Sequence, residues 1–298
     1  MEKLRVWFTD FWPTFDPNSN PFLDALGKRY DVNVTQPPDV LFHSVFGSGF
    51  MEYDCLRVFY TGECCTPDFN ACDYAIGFDY IDFGDRYLRL PLYLFNYEYR
   101  AGFDLAMTKH ERVEEALKLK KRFCSFVYSS GGVSTPRYQF ERALCGYKHV
   151  DSGGRAENNI GYAVENKLAF ERVHKFSIAF ENCVYPGYST EKIVESFAAA
   201  TVPLYYGDPT IGRQFNPNAF LNLSGCADVD QMVGMVKELD EDDARYEYML
   251  RQPILLPDSN LPNYEALDRF ILNAVRWPRA RRRPPRNAWG GGGVPVFD

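Results

Sequence analysis

FSIAFENCVYPGYSTEKIVESFAAATVPLYYGDPTIGRQFNPNAFLNL, residues 176–223, is the stretch from which the fold can be read. Residues 176–180 form a short, mostly apolar run, which predicts a buried strand. Residues 182–188 form a loop, punctuated by Pro186 and Gly187. Ser189 or Thr190 can cap the following helix, because a hydroxyl there accepts a hydrogen bond from an orphan backbone N–H. Ile193, Val194, Phe197 and Ala198 recur at helical spacing and give that helix an apolar face. Residues 202–206 predict the next strand, closed by Gly207-Asp208-Pro209. Strand, loop, helix, strand implies a parallel α/β layer.

The loop between strand and helix lies at the carboxyl end of the strand, where open α/β sheets bind ligands. The helix start offers free N–H groups and a partial positive charge, an anion site. Lys192 falls in that first turn, where cations are normally disfavoured. It either points into solvent or holds a strongly anionic ligand. Glu191 is favourable at a helix start in any case.

Working outward, the N-terminal part alternates strand and helix. Residues 4–8, 40–46, 56–60 and 74–78 predict strands. Residues 22–30 predict a helix with Phe22, Leu23 and Leu26 on one side. Residues 83–99 are aromatic and irregular. A charged helix over 110–121 leads into a strand over 122–128, and a domain boundary is expected near that helix. Thr135 is the expected cap of the next helix, and Pro136 suits its first position. Arg137 then stands in the first turn, as surface charge or as a phosphate partner. Glu63 follows directly on the 56–60 strand, at its carboxyl end. A carboxylate there can take a proton from an attacking hydroxyl, or can be an exposed loop acid.

Other features exclude function classes. Net charge is −7, and the six Arg of residues 276–286 leave −13 on the rest, a poor nucleic-acid binder. That basic run is broken by Pro and followed by four glycines, and is expected to be a disordered tail. It either touches an anionic membrane face or is merely solvated. No apolar run reaches the roughly 18 residues of a membrane span, and MEKLRVWFTDF lacks a signal-peptide layout. The eight Cys have no metal or repeat spacing and are expected to be reduced thiols, which with the absent signal points to the cytoplasm. Gly131-Gly132 is too short for a dinucleotide fingerprint, and there is no Walker motif. Asp228-Val229-Asp230 is a D-x-D triplet, a metal-nucleotide signature elsewhere. Here it precedes the helical MVGMVKEL, so a cap is the better reading and no metal site is expected. Tyr264, Leu267, Phe270, Ile271 and Ala274 mark a last amphipathic helix that can cross back onto the first domain.

Phe180-Glu181-Asn182, Gly187 through Lys192, Val202-Pro203 and Gly207 together resemble the donor-binding signature of glycosyltransferase family ten, the α-1,3/1,4-fucosyltransferases. FEN followed by Y-x-T-E-K is highly specific. The resemblance runs over roughly residues 4–275 and is nearest to soluble bacterial members that build Lewis-type antigens. It implies GT-B architecture: two Rossmann-like α/β domains facing across a cleft, here 1–115 for the acceptor and 116–276 for GDP-fucose, with 277–298 as the tail. It implies inverting transfer of L-fucose from GDP-fucose to the N-acetylglucosamine of a lactosamine-type oligosaccharide. It makes Glu63 the general base, within RVFYTGE…DYAIGFD…DRYLRLPLY, where the family usually carries Asn after that Glu and this chain has Cys64. Arg137, Lys192, Tyr188, Asn182 and Ser129 match donor contacts, and Glu191 a residue supporting the oxocarbenium-like transition state. No cofactor is implied beyond the donor, with Mn²⁺ or Mg²⁺ at most stimulatory. The rival readings are a GT-B enzyme for another nucleotide sugar and a catalytically silent sugar-binding module.

Overall fold

The computed structural model describes residues 1–129, 135–155, 157–259 and 261–276. The expected tail, 277–298, lies outside them. The chain divides into two compact units, Met1–Asn96 with residues 262–276, and Tyr97–Leu261. The division falls at residue 96 rather than near 115, and residues 262–276 return to the first unit.

The first unit contains β1 (Glu2–Thr9), α1 (Pro21–Gly27), β2 (Tyr30–Val34), β3 (Val40–His43), β4 (Leu56–Tyr60), β5 (Tyr74–Gly77), β6 (Tyr87–Arg89) and the single helical turn α2 (Leu92–Phe95). Its six strands form one parallel sheet in the order β2-β1-β3-β4-β5-β6. The core is built on rings. Phe22 stacks on Phe42 with centroids 4.5 Å apart, and Tyr60 on Phe95 at 4.0 Å. Such pairs add about 0.5–1.5 kcal/mol each beyond their buried area.

The second unit contains α3 (Tyr97–Met107), α4 (Val113–Leu119), β7 (Arg122–Phe126), α5 (Pro136–Cys145), β8 (Val150–Ser152), α6 (Lys167–Arg172), β9 (His174–Phe180), α7 (Glu191–Ala198), β10 (Val202–Tyr206), β11 (Leu221–Asn222), α8 (Val229–Glu241) and α9 (Asp243–Arg251). Its five strands are also parallel, in the order β11-β10-β9-β7-β8. Helix α3 packs on α7, which explains why the first unit ends before it. The last helix, α10 (Tyr264–Arg276), packs on α1 in the first unit, as its amphipathic pattern allowed.

Two features position the site. First, the strand order sets β9 beside β7, so the loops leaving their carboxyl ends are neighbours. Second, α7 is fixed by burial of Ile193, Val194 and Phe197, each side chain contributing about 1.5–3 kcal/mol. All three lie on the apolar face expected from spacing.

Candidate active site

Helix α7 begins where the sequence places it, with Thr190 as N-cap in extended backbone. The cap is unusual. Thr190 Oγ1 accepts no bond from a backbone N–H of the first helical turn; it donates to Glu181 Oε2 at 2.7 Å, and Thr190 N donates to Glu181 Oε1 at 2.7 Å. The first-turn N–H groups of α7 therefore receive no cap from this hydroxyl. The loop before it turns through Gly187 at φ +86°, a conformation that a Cβ would strain.

Glu181 follows β9 directly, and its side chain is fully buried. Lys192 Nζ lies 3.2 Å from Glu181 Oε2, 3.4 Å from Glu191 Oε1 and 2.8 Å from Thr190 Oγ1. Lys192 thus points inward, onto two carboxylates of its own chain, and not into solvent. Burial pushes the Glu181 carboxyl above its ordinary range, and Lys192 only partly offsets this. Burial would also raise Glu191, but Lys192 and then Lys167 outweigh it and hold that carboxyl low. Burial opposes the charge on Lys192, yet Glu181 and Glu191 outweigh it and raise its pKa. The backbone leaves room for this cluster only because residue 207 is glycine: a Cβ there would come within 2.6 Å of Glu181 Cγ.

Arg137 stands in the first turn of α5, after Thr135 and Pro136 at the expected cap and first positions. It is buried, donates to Asn182 Oδ1, and its guanidinium lies 4.4 Å from the centroid of the Tyr128 ring. A cavity of about 320 Å³ is walled by Thr135, Arg137, Glu181, Asn182, Cys183 and Tyr206. The Thr135 hydroxyl, expected to cap α5, is buried with no partner among the described residues. A buried unpaired hydroxyl is costly unless something bonds it. Arg137, Asn182 and Thr135 thus present polar groups to one cavity at the carboxyl ends of β7 and β9.

The remaining site residues are placed differently. Ser129 is exposed just after β7, bordering residues outside the description. Tyr188 is buried and lines none of the cavities described. Glu63 lies in the first unit, at the carboxyl end of β4, and is exposed. Its backbone N–H donates to Thr61 Oγ1 at 2.9 Å, and Cys65 N–H donates to its carbonyl at 2.7 Å. These ties fix the turn and leave the carboxylate outside it. Asp228 is the N-cap of α8: its carboxylate accepts from Gln231 N at 2.8 Å. Among the described residues no group of three or more His, Cys, Asp or Glu is arranged to hold a metal ion, and no helix is long and apolar enough to cross a membrane.

Glu181 and Lys167 were not singled out by sequence, and Thr135 only as a helix cap. Glu181 stood inside the quoted FEN, but only the fold reveals its partners.

Two all-parallel α/β units, the second with a cavity at its strand ends lined by Arg137, Asn182 and Thr135, are what a glycosyltransferase of GT-B architecture presents, and the comparisons with known proteins carry that class. Residues 6–97 match the model of the alpha-(1,3)-fucosyltransferase FucT N-terminal domain, and residues 117–251 that of the glycosyltransferase family 10 (fucosyltransferase) C-terminal part. The chain belongs to glycosyltransferase family 10. It is 35% identical over 259 residues to the alpha-(1,3)-fucosyltransferase FucT of Helicobacter pylori, a match covering 76% of this chain and 54% of that protein. The chain thus spans about half the length of that relative. A crystal structure of an α1,3-fucosyltransferase superposes with a TM-score of 0.77 at 30% identity, covering 92% of this chain and 89% of the other. A second, with GDP-fucose, gives 0.74 at 29% identity, covering 93% and 90%.

Proposed function

We propose that the chain is an inverting α-1,3-fucosyltransferase that moves L-fucose from GDP-fucose to the N-acetylglucosamine of a lactosamine-type glycan, giving a Lewis x-like product. The observation that carries this reading is the linked set Arg137–Asn182 and Glu181–Thr190–Lys192–Glu191 at the strand ends of the second unit. The names of the similar proteins support the choice of sugar and linkage.

In the proposed reaction the acceptor hydroxyl gives its proton to the Glu63 carboxylate as its oxygen bonds to the anomeric carbon. The bond from that carbon to the diphosphate breaks, and its electron pair leaves on GDP. Attack from the face opposite the diphosphate turns a β-linkage into an α-linkage. Arg137 and Lys192 meet the negative charge that grows on the leaving group. Asn182 and Ser129 hold the donor, and Glu191, kept ionised, faces the developing positive charge of the sugar. Tyr188, buried in the loop before α7, belongs to the donor-binding set with them. Asp228 is occupied as a helix cap, so the positive field falls to Arg137 and Lys192, and Mn²⁺ or Mg²⁺ acts at most by helping GDP leave. The protein works in the cytoplasm, and its Arg-rich tail touches the anionic inner face of the membrane.

The test is incubation with GDP-fucose and N-acetyllactosamine, with the product linkage read by NMR. One α-1,3-linked fucose per N-acetylglucosamine is expected. Transfer from another nucleotide sugar alone, or donor binding with neither transfer nor hydrolysis, contradicts the proposal in favour of a different transferase or a silent module.

A further inference from the structure

The paired register of β7 and β9 ends at Ser125 and Ser177, while β9 runs on to Phe180 and leads into Glu181 and Asn182. Past Ser177 the backbone of β9 needs another partner on that side, because a buried N–H or C=O left alone is costly. Tyr128, two residues beyond the end of β7, supplies it. Its hydroxyl accepts from Phe180 N at 2.7 Å and donates to Ile178 O at 3.0 Å or Phe180 O at 3.2 Å. One side chain thus completes the ladder at the last residue before Glu181 and Asn182. Burial pushes the phenol up to about 12, against the pull of Lys167, Arg137 and Lys192, so it stays a neutral group that both donates and accepts.

The ring has a second use. The Arg137 guanidinium lies over it, 4.4 Å from its centroid, and the Phe126 ring packs against it at 4.7 Å. Arg137 in turn donates to Asn182 Oδ1. The backbone of Tyr128 is pinned separately. Arg155 N donates to Tyr128 O at 3.1 Å, and a Cβ on Gly154 would fall 2.0 Å from that oxygen. Tyr128 is only 6% exposed and stands outside the described walls of the Arg137 cavity, so a ligand there meets Arg137 and Asn182 and not the tyrosine.

We propose that Tyr128 is a positioning residue for the leaving-group site: its ring face holds Arg137, its hydroxyl holds the end of β9, and together they set Arg137 and Asn182 against each other at the cavity. The use made of that arrangement rests on the donor-binding reading above. A cation fixed before the ligand arrives needs no reorganisation when the diphosphate takes up charge. A ring beneath a guanidinium supplies that hold without occupying its N–H groups, which stay available for Asn182 and for phosphate oxygens.

The test is calorimetry of GDP binding in two double-mutant cycles, with folding followed by denaturant unfolding. Tyr128→Phe removes the hydroxyl and keeps the ring. It is expected to weaken GDP binding about fivefold, the scale of one hydrogen bond, and to cost less than about twofold when combined with Asn182→Ala. Tyr128→Leu removes the ring face as well. Its further loss over Tyr128→Phe is expected to be about fivefold, and to vanish when both are combined with Arg137→Ala. A residue that serves the fold alone would cost the same with or without these partners. Equal losses in both backgrounds, or single variants that bind GDP as the wild type does, overturn the proposal. If Arg137→Ala by itself leaves GDP affinity unchanged, the donor reading fails and the positioning role falls with it. If Arg137→Ala weakens GDP binding and the cycles are additive, the positioning role alone fails. Should Tyr128→Leu lose cooperative unfolding, the Tyr128→Phe cycle decides.

Discussion

The two units end their central strands with carboxylates in opposite states. After β9, Glu181 is wholly buried and held by Thr190 and Lys192. After β4, Glu63 is exposed, and its backbone N–H is tied to Thr61 Oγ1. The contrast follows from the surroundings. A buried carboxylate persists only with partners, and the second unit supplies them from α7. The first unit fills its core with stacked rings such as Phe22, Phe42, Tyr60 and Phe95, and leaves its acid outside. Buried, prepaired charge suits a fixed electrostatic frame for a leaving group. An exposed carboxylate suits a base whose hydrogen bond tightens only when its substrate arrives.

The comparison breaks first at Lys192. Lys192→Ala strands Glu181 without its cation, and breaking such a buried pair costs about 3–5 kcal/mol of stability. Denaturant unfolding should show that loss, and calorimetry a weaker grip on GDP. The double variant Glu181→Gln/Lys192→Met should recover much of the stability and none of the GDP affinity. Full recovery of both would mean that Lys192 serves the fold alone. Next comes Arg137→Ala, expected to weaken GDP binding by about 1.5–3 kcal/mol, the range of a charge-assisted hydrogen bond. If GDP binds as before, Arg137 belongs to the Tyr128 contact and not to the donor.

Lys109 sharpens the same point from the other side. It is buried over the Phe197 ring of α7 with no hydrogen-bond partner among the described residues. Burial, helped by Arg112, lowers its pKa from 10.5 to about 7. Between these values the unfolded chain binds the extra proton, so stability rises with pH across that window and the cost is complete below about 7. Lys109→Met should stabilise the fold by about 1–3 kcal/mol near neutral pH and flatten the rise between about pH 7 and 9. An unchanged pH profile would place a counterion on Lys109. The smallest effect is at Asp228. Asp228→Ala should cost about 0.5–2 kcal/mol of stability, as a lost cap does, with GDP affinity and activity in EDTA unaltered. Metal-reversible loss of activity in EDTA would move Asp228 and Asp230 into the site.

What the sequence revealed follows the same division between centre and edge. Strands β4 and β10 lie where their apolar runs place them, because a central parallel strand is buried on both faces. Strands β2, β6, β8 and β11 were not foreseen, and these four are the sheet edges. An edge strand has one neighbour and can be short or half polar. β2, YDVNV, alternates exposed residues along its length, and β11 has two residues. The aromatic stretch before residue 99, expected to be irregular, holds β6 and α2. In the site, the cap positions Thr135, Thr190 and Asp228 were legible because capping is local. Only Asp228 uses its side chain as a cap. The direction of Lys192 and the partners of Glu181 depend on segments that meet only in the folded chain.

The division of labour between the two carboxylate settings is tested most directly by Glu63→Gln, with turnover and GDP affinity measured on the same preparation. The variant keeps the size and hydrogen bonding of the side chain and cannot take the proton. If Glu63 is the base and the second unit alone holds the nucleotide, turnover falls by about 100-fold or more while GDP binds as in the wild type. Near-normal turnover, or a loss of GDP affinity that matches the loss of rate, would contradict the account.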